Sequence, residues 1–183
     1  VTEYESLWRE FASNEISHSG AHYLLAVASA LKNGVEPRGA DIARMLQVSR
    51  AAVSLQIRAL KEQGLVRVDE HHRIGLTRSG ADLVARIAGK RDVFRTFLRD
   101  VLGVAARTAE LDACKVEHLL SEETCAALVR LITFLRSDLP EARSCLRSFR
   151  ETTADCRPGA RCDLCEKECL LNTLGVGDTP QPG

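Results

Sequence analysis

Apolar positions recur along most of this chain at three- and four-residue intervals, the spacing that lines one face of an α-helix. In residues 1–17, Tyr4, Leu7, Trp8 and Phe11 share such a face and predict a short helical extension. "SHSGAHYLLAVASALKNG" predicts a helix from Ser19 to Leu31, closed by Gly34. In "RGADIARMLQVS", Ile42, Ala43 and Leu46 predict a shorter helix ending near Gln47. The turn "QVSR" follows, with Ser49 placed to cap the next helix. That helix, Arg50 to Gln63, divides cleanly: Val53, Ile57 and Leu60 face inward, while Arg50, Ser54, Arg58 and Lys61 face out. The period then changes from helical to alternating. "LVRVDEHHRIGLT" predicts a β-hairpin with strands near Leu65–Val68 and Ile74–Thr77. "RSGADLVARIAGKRDVFRTFLRDVLG" predicts a long helix, started by a Ser cap and running to about Leu102. Further helices are expected near Ala109–Leu120, Glu122–Leu135 and, past a break at Pro140, Glu141–Arg150.

Composition narrows the class. The 183 residues are 45% hydrophobic, 27% charged and only 4% aromatic, which suits a helical globular protein. No apolar run approaches the roughly 20 residues of a membrane span, and the polar, acidic opening "VTEYESLWRE" does not resemble an export signal. A cytoplasmic protein without membrane contact is expected. The formal net charge is zero, so a nucleic-acid site would have to come from local charge.

Helix, helix, turn, helix and two-stranded wing make a winged helix-turn-helix. The outward face of the third helix offers Ser49, Arg50, Ala51, Ser54, Leu55 and Arg58 to a major groove, where arginine reads guanine and hydroxyls reach phosphate. The wing adds Arg67 and Arg73, with His71 and His72 between them, for the backbone or the minor groove. Double-stranded DNA is the expected partner.

From "ADIARMLQVSRAAVSLQIRALKEQGLVRVDEHHRIGLTRSGADL" to "ACKVEHLLSEE" the chain resembles the iron- and manganese-dependent repressors typified by the diphtheria toxin repressor and the manganese transport regulator. The resemblance covers about Ser19 to Arg136. It includes the metal motif C/E-x-x-E-H-x-(L/M)-S, here Cys114 to Ser121. It implies a homodimer formed by the helices after the winged domain, bound to palindromic operators. It also implies a divalent metal site of Cys114, Glu117, His118 and, from the first helix of the winged domain, His22. A thiolate, carboxylate and imidazole together suit Fe(II), Co(II), Ni(II) or Zn(II) better than Mn(II). The chain departs from the family at the second metal site, where the aligned positions are Arg91 and Arg95. Two fixed positive charges there repel a cation, and an ion pair with Glu110 could stand in the metal's place. The alternative to a working metal site is that Cys114, Glu117 and His118 form a face that holds the dimer together, with Glu117 paired to an arginine. Leu25 aligns with a further carboxylate of manganese sensors, and Leu55 stands where the recognition helix often has Gln.

Four of seven cysteines crowd into "CRPGARCDLCEKEC": Cys156, Cys162, Cys165 and Cys169, with Cys145 eleven residues earlier. An odd cysteine count without an export signal favours thiolate ligands over a disulfide framework. The C-x2-C-x3-C run is similar in spacing to the cluster-binding cysteines of small ferredoxins. A [4Fe–4S] cluster is the first reading, structural Zn2+ the second and a disulfide or thiol redox switch the third. The remaining pair, Cys114 and His118, lacks an oxyanion or substrate loop, so an enzyme is not expected and no small-molecule substrate is assigned.

The expected fold is therefore mainly α: a helical extension (1–17), a winged helix-turn-helix domain (18–84), a helical dimerisation and metal-binding domain (85–140), a cysteine-rich tail (141–175) and a disordered end (176–183). The expected function is a dimeric DNA-binding regulator controlled by the tail cluster, the middle metal site or both. The alternatives are an iron-dependent repressor with a structural zinc tail, and an iron–sulfur or redox protein that does not bind DNA.

Overall fold

The computed structural model describes residues 16–152. The helix expected at 1–17, except its last two residues, lies outside them, as do Cys156, Cys162, Cys165, Cys169 and the segment 176–183. Among the described residues there are seven α-helices and one two-stranded sheet: α1 (His18–Lys32), α2 (Gly39–Leu46), α3 (Arg50–Glu62), β1 (Val66–Val68), β2 (Ile74–Leu76), α4 (Arg78–Thr96), α5 (Ala106–Val116), α6 (Glu122–Leu135) and α7 (Pro140–Glu151). None of the described helices is long and apolar enough to cross a membrane.

Local chemistry sets most boundaries. Ser17, Ser49, Thr77 and Ser121 cap α1, α3, α4 and α6, each accepting a bond from the backbone N–H three residues on. The capping residue of α4 is Thr77 rather than Ser79, which corrects the sequence-based expectation. Thr77 is held there because its hydroxyl also donates to the Gly64 carbonyl at 2.6 Å. At the end of α3, Gly64 takes φ +71°, a left-handed turn that glycine adopts without a Cβ penalty. Pro140 marks the expected break and is itself the first residue of α7, since its missing N–H falls where no intrahelical partner exists. Past Thr96 the long helix loosens into a π turn, Phe97–Val101, closed by Leu102 N–H to the Phe97 carbonyl at 3.1 Å. The helix expected to reach Leu120 ends at Val116 and continues as a turn.

The two strands pair antiparallel, with Arg67 opposite Gly75. The wing is tied back to the body by Ile74 N–H to the Pro37 carbonyl at 2.7 Å. One core joins α1, α2, α3 and the wing around Leu24, Val27, Ile42, Val53 and Leu60, and it takes in Leu83 and Ile87 of α4. A second, smaller cluster buries Val101, Ile132 and Leu135, with Val93, Phe97 and Leu146 packed against it. The long helix α4 contributes to both cores and so connects the winged part to the helices that follow.

Candidate nucleic-acid interface and metal centre

On α3 the inward residues Val53, Ile57 and Leu60 are buried, and the opposite face is open. Arg50, Ala51, Ser54, Leu55 and Arg58 are all exposed, Leu55 to 70%. The Ser49 hydroxyl is occupied as the helix cap, accepting from Ala52 N–H at 3.1 Å, so Ser49 positions the helix. Arg58 lies along the helix against Glu62 at 3.0 Å, an exposed pair weak enough to exchange for another anion. In the wing, Arg67 is exposed and its guanidinium lies over Gly75, at a spacing that a side chain there would obstruct. Arg73 is differently employed. It is ion-paired to Glu36 and, at 3.4 Å, to Asp69, and its N–H donates to Asp69 Oδ1 at 2.8 Å. Arg73 therefore shapes the wing and clamps it to the loop before α2. The backbone bond from Arg73, helped by that of His71, holds the Asp69 carboxyl below the ordinary carboxylate range.

The motif residues separate into two directions. Glu117, the C-cap of α5, is fully buried, and Arg91 of α4 grips it with two bonds, Nε to Oε2 at 2.5 Å and Nη2 to Oε1 at 3.1 Å. The same guanidinium reaches Cys114 Sγ at 3.6 Å. Burial works against the Arg91 charge. The bond and charge of Glu117, with the electrostatic pull of Cys114 and Glu110, outweigh it and keep the guanidinium above its ordinary pKa. One turn along α4, Arg95 pairs with Glu110 at 3.0 Å. Both arginines thus form ion pairs, Arg95 with Glu110 and Arg91 with Glu117.

His118 turns the other way, toward α1. Its Nε2 lies 2.6 Å from Nδ1 of His18, and its ring centroid is 4.4 Å from that of His18 and 6.3 Å from that of His22. His18 and His22 stand one turn apart on α1, with centroids 4.6 Å apart. Burial, and then the neighbouring imidazoles, lower the pKa values of His22 and His118, favouring the neutral rings that bind metals. Nδ1 of His118 is buried without a hydrogen-bond partner. His22 and His118 are brought together as expected, Cys114 and Glu117 lie on the Arg91 side, and His18 is the residue that sequence reasoning missed. Its signal was present: "HSGAH" spaces two histidines at i, i+4. Cys145 is exposed on α7, and Cys125 is half-buried, its thiol pushed up by burial.

Comparison with known proteins agrees with this architecture. The profile described as "Iron dependent repressor, metal binding and dimerisation domain" matches residues 77–144, and that of the bacterial regulatory proteins of the arsR family matches residues 37–68. The iron-dependent repressor IdeR of Mycobacterium tuberculosis is 29% identical over 119 residues, which are 65% of this chain and 52% of that protein. An uncharacterized helix-turn-helix-type transcriptional regulator of Methanocaldococcus jannaschii is 30% identical over 109 residues, 59% of this chain and 87% of that one. Among solved structures, the metal-dependent transcriptional regulator MtsR superposes with a TM-score of 0.58 at 24% identity, over 63% of this chain and 54% of that chain, which supports the fold. The chain spans about half the length of the IdeR and diphtheria toxin repressor relatives it matches. With a winged helix-turn-helix, the shared long helix and the matching dimerisation segment in one chain, this protein belongs to the iron-dependent repressor family typified by the diphtheria toxin repressor.

Proposed function

We propose that this chain is a dimeric, metal-dependent, DNA-binding transcriptional repressor that acts in the cytoplasm and is not an enzyme. The observation that carries the reading is the meeting of His118 with His18 and His22. It joins the helix that packs behind the recognition helix to the segment that follows α5. The residues fit a divalent ion in part. Three imidazoles and the orphaned Nδ1 of His118 suit one, while Glu117 is already held by Arg91. When bound, such an ion would supply a bond between the winged part and the dimerisation part, so that loading changes how two recognition helices are set against DNA. The exposed apolar side chains of α6, Val129, Leu131 and Phe134, suit a second copy of the chain.

The tail enters the reading through spacing alone. Cys156, Cys162, Cys165 and Cys169, with Cys145 exposed on α7, are assigned a [4Fe–4S] cluster that reports iron or redox status, with structural zinc as the alternative. The anaerobically purified chain should be brown and lose its visible band in Cys162→Ser. A colourless chain holding one zinc at the tail would overturn the cluster.

The repressor reading is tested by selecting sequences from a random duplex library with the full chain, with and without Fe(II), Co(II) or Zn(II). Enrichment of a palindrome in the metal-loaded arm is expected. Arg50→Ala should cost about 1–3 kcal/mol on that duplex, roughly ten- to hundredfold in affinity. Binding that is indifferent to sequence and metal would overturn the reading.

A further inference from the structure

The motif in this chain promises a carboxylate ligand, yet the carboxylate is not available. Both oxygens of Glu117 are bonded to Arg91, and the side chain has no exposed surface. A cation bound to Glu117 would have to share it with a fixed guanidinium a few ångströms away, a like-charge contact in a poorly screened interior. On the other side of His118 the situation is reversed. His18 and His22 share one face of α1, and the turn after α5 delivers His118 against them. Two imidazoles on one tetrahedral ion, with metal–nitrogen distances of about 2.0–2.1 Å, place their ring centroids about 5 Å apart. The three centroid distances here, 4.4, 4.6 and 6.3 Å, bracket that spacing. The nitrogens do not yet converge: among the described residues no three donors already stand around one point. In this arrangement His18 and His118 are instead in direct hydrogen-bond contact, Nδ1 to Nε2 at 2.6 Å. His18 is exposed, so its ring can leave that contact by a change of rotamer, and the rings of His22 and His118, 6.3 Å apart, must also approach for three nitrogens to converge.

Resting on the metal-dependent reading of this region, we infer that the chain has exchanged a ligand: His18, His22 and His118 hold the ion, and Arg91 withdraws Glu117 from it. Arg91 is then a positioning residue. It acts as an internal cation that satisfies the motif's carboxylate and leaves a three-nitrogen site. Such a site favours Zn(II), Co(II) or Ni(II) over oxygen-preferring Mn(II).

The test is proton NMR of the full chain loaded with Co(II), whose paramagnetism shifts the ring N–H signals of ligating imidazoles far outside the ordinary range. The tail contains no histidine, so ions bound by its cysteines add no such signal. Three shifted imidazole signals are expected in the wild-type chain and at most two in His18→Ala. The double variant Arg91→Gln/Glu117→Gln, which replaces the ion pair by two amides and avoids an unpaired buried charge, should keep all three. An unchanged spectrum in His18→Ala overturns the inference, as does loss of the signals in the double variant, which would make Glu117 a ligand and leave the metal-dependent reading standing. Absence of shifted signals from the wild-type chain also overturns it, and the duplex selection then decides separately whether DNA binding depends on metal.

Discussion

Glu117 depends on Arg91 for its place in the interior. A buried carboxylate is tolerated only when charge and hydrogen bonds replace the water it has lost, and Arg91 supplies both. Arg91→Ala should therefore cost about 3 kcal/mol in a urea titration, toward the lower end for broken buried pairs because Arg91 itself is partly exposed. Adding Glu117→Gln to that variant should recover part of the loss. If Arg91→Ala unfolds at the wild-type midpoint, the pair does not hold this junction together. The wing offers a second residue-scale test. Asp69 accepts backbone bonds from His71 at 2.9 Å and Arg73 at 2.8 Å, and its carboxyl is held below the ordinary value of 3.8. A depressed carboxyl contributes above 3.8 and loses its contribution as pH falls through the lower folded value. Carbon-detected NMR should place the Asp69 midpoint below 3.8, with the His71 and Arg73 amides moving at the same pH. A midpoint at or above 3.8 would contradict the turn described for the wing.

At the scale of elements, the start of α4 approaches the backbone just before β1 very closely. A Cβ on Gly80 would lie 1.9 Å from the Leu65 carbonyl oxygen, a backbone atom that cannot step aside. Gly80→Ala must push the start of α4 off the hairpin, and a loss of about 2–3 kcal/mol or more is expected on thermal unfolding. Gly89 on the same helix has open space around it, so Gly89→Ala should instead raise stability by up to about 1 kcal/mol. Equal effects at the two glycines would refute the close approach. Most elements were legible in the sequence because their signals are local: a cap, a glycine, a period. Val53, Ile57 and Leu60 stated which face of α3 is buried, and they are. What the sequence hid depended on contacts between distant segments. Thr77 displaces Ser79 as cap through its bond to Gly64, the π turn at Phe97–Val101 turns Val101 into the second core, and His18 meets His118 across 100 positions of chain. A motif match could name His22, Cys114, Glu117 and His118, but not that Arg91 divides them.

At the scale of the whole molecule, the two halves are unequal in how well they cover their apolar surface. The winged half encloses a full core, whereas the second cluster fully buries only Val101, Ile132 and Leu135. On α6, Leu131 and Phe134 lie one turn apart and remain 42% and 43% exposed among the described residues, an apolar pair suited to a protein contact. A second copy of the chain would cover that face and place two recognition helices on one duplex. The variant Leu131→Glu/Phe134→Glu removes the apolar contact and sets like charges against each other across a two-fold interface, without touching the buried residues of either core. It should sediment as a monomer while keeping the wild-type circular dichroism. With one recognition helix per particle in place of two, its affinity for the selected palindrome should fall by about a hundredfold or more, from the nanomolar range typical of specific complexes. Fewer phosphates would be neutralised per binding event, so the slope of log affinity against log salt should drop to roughly half the wild-type slope. A variant that stays dimeric would place the interface elsewhere. A monomer with undiminished affinity and slope would mean that a single winged unit reads the DNA, and that the exposed face of α6 serves another partner.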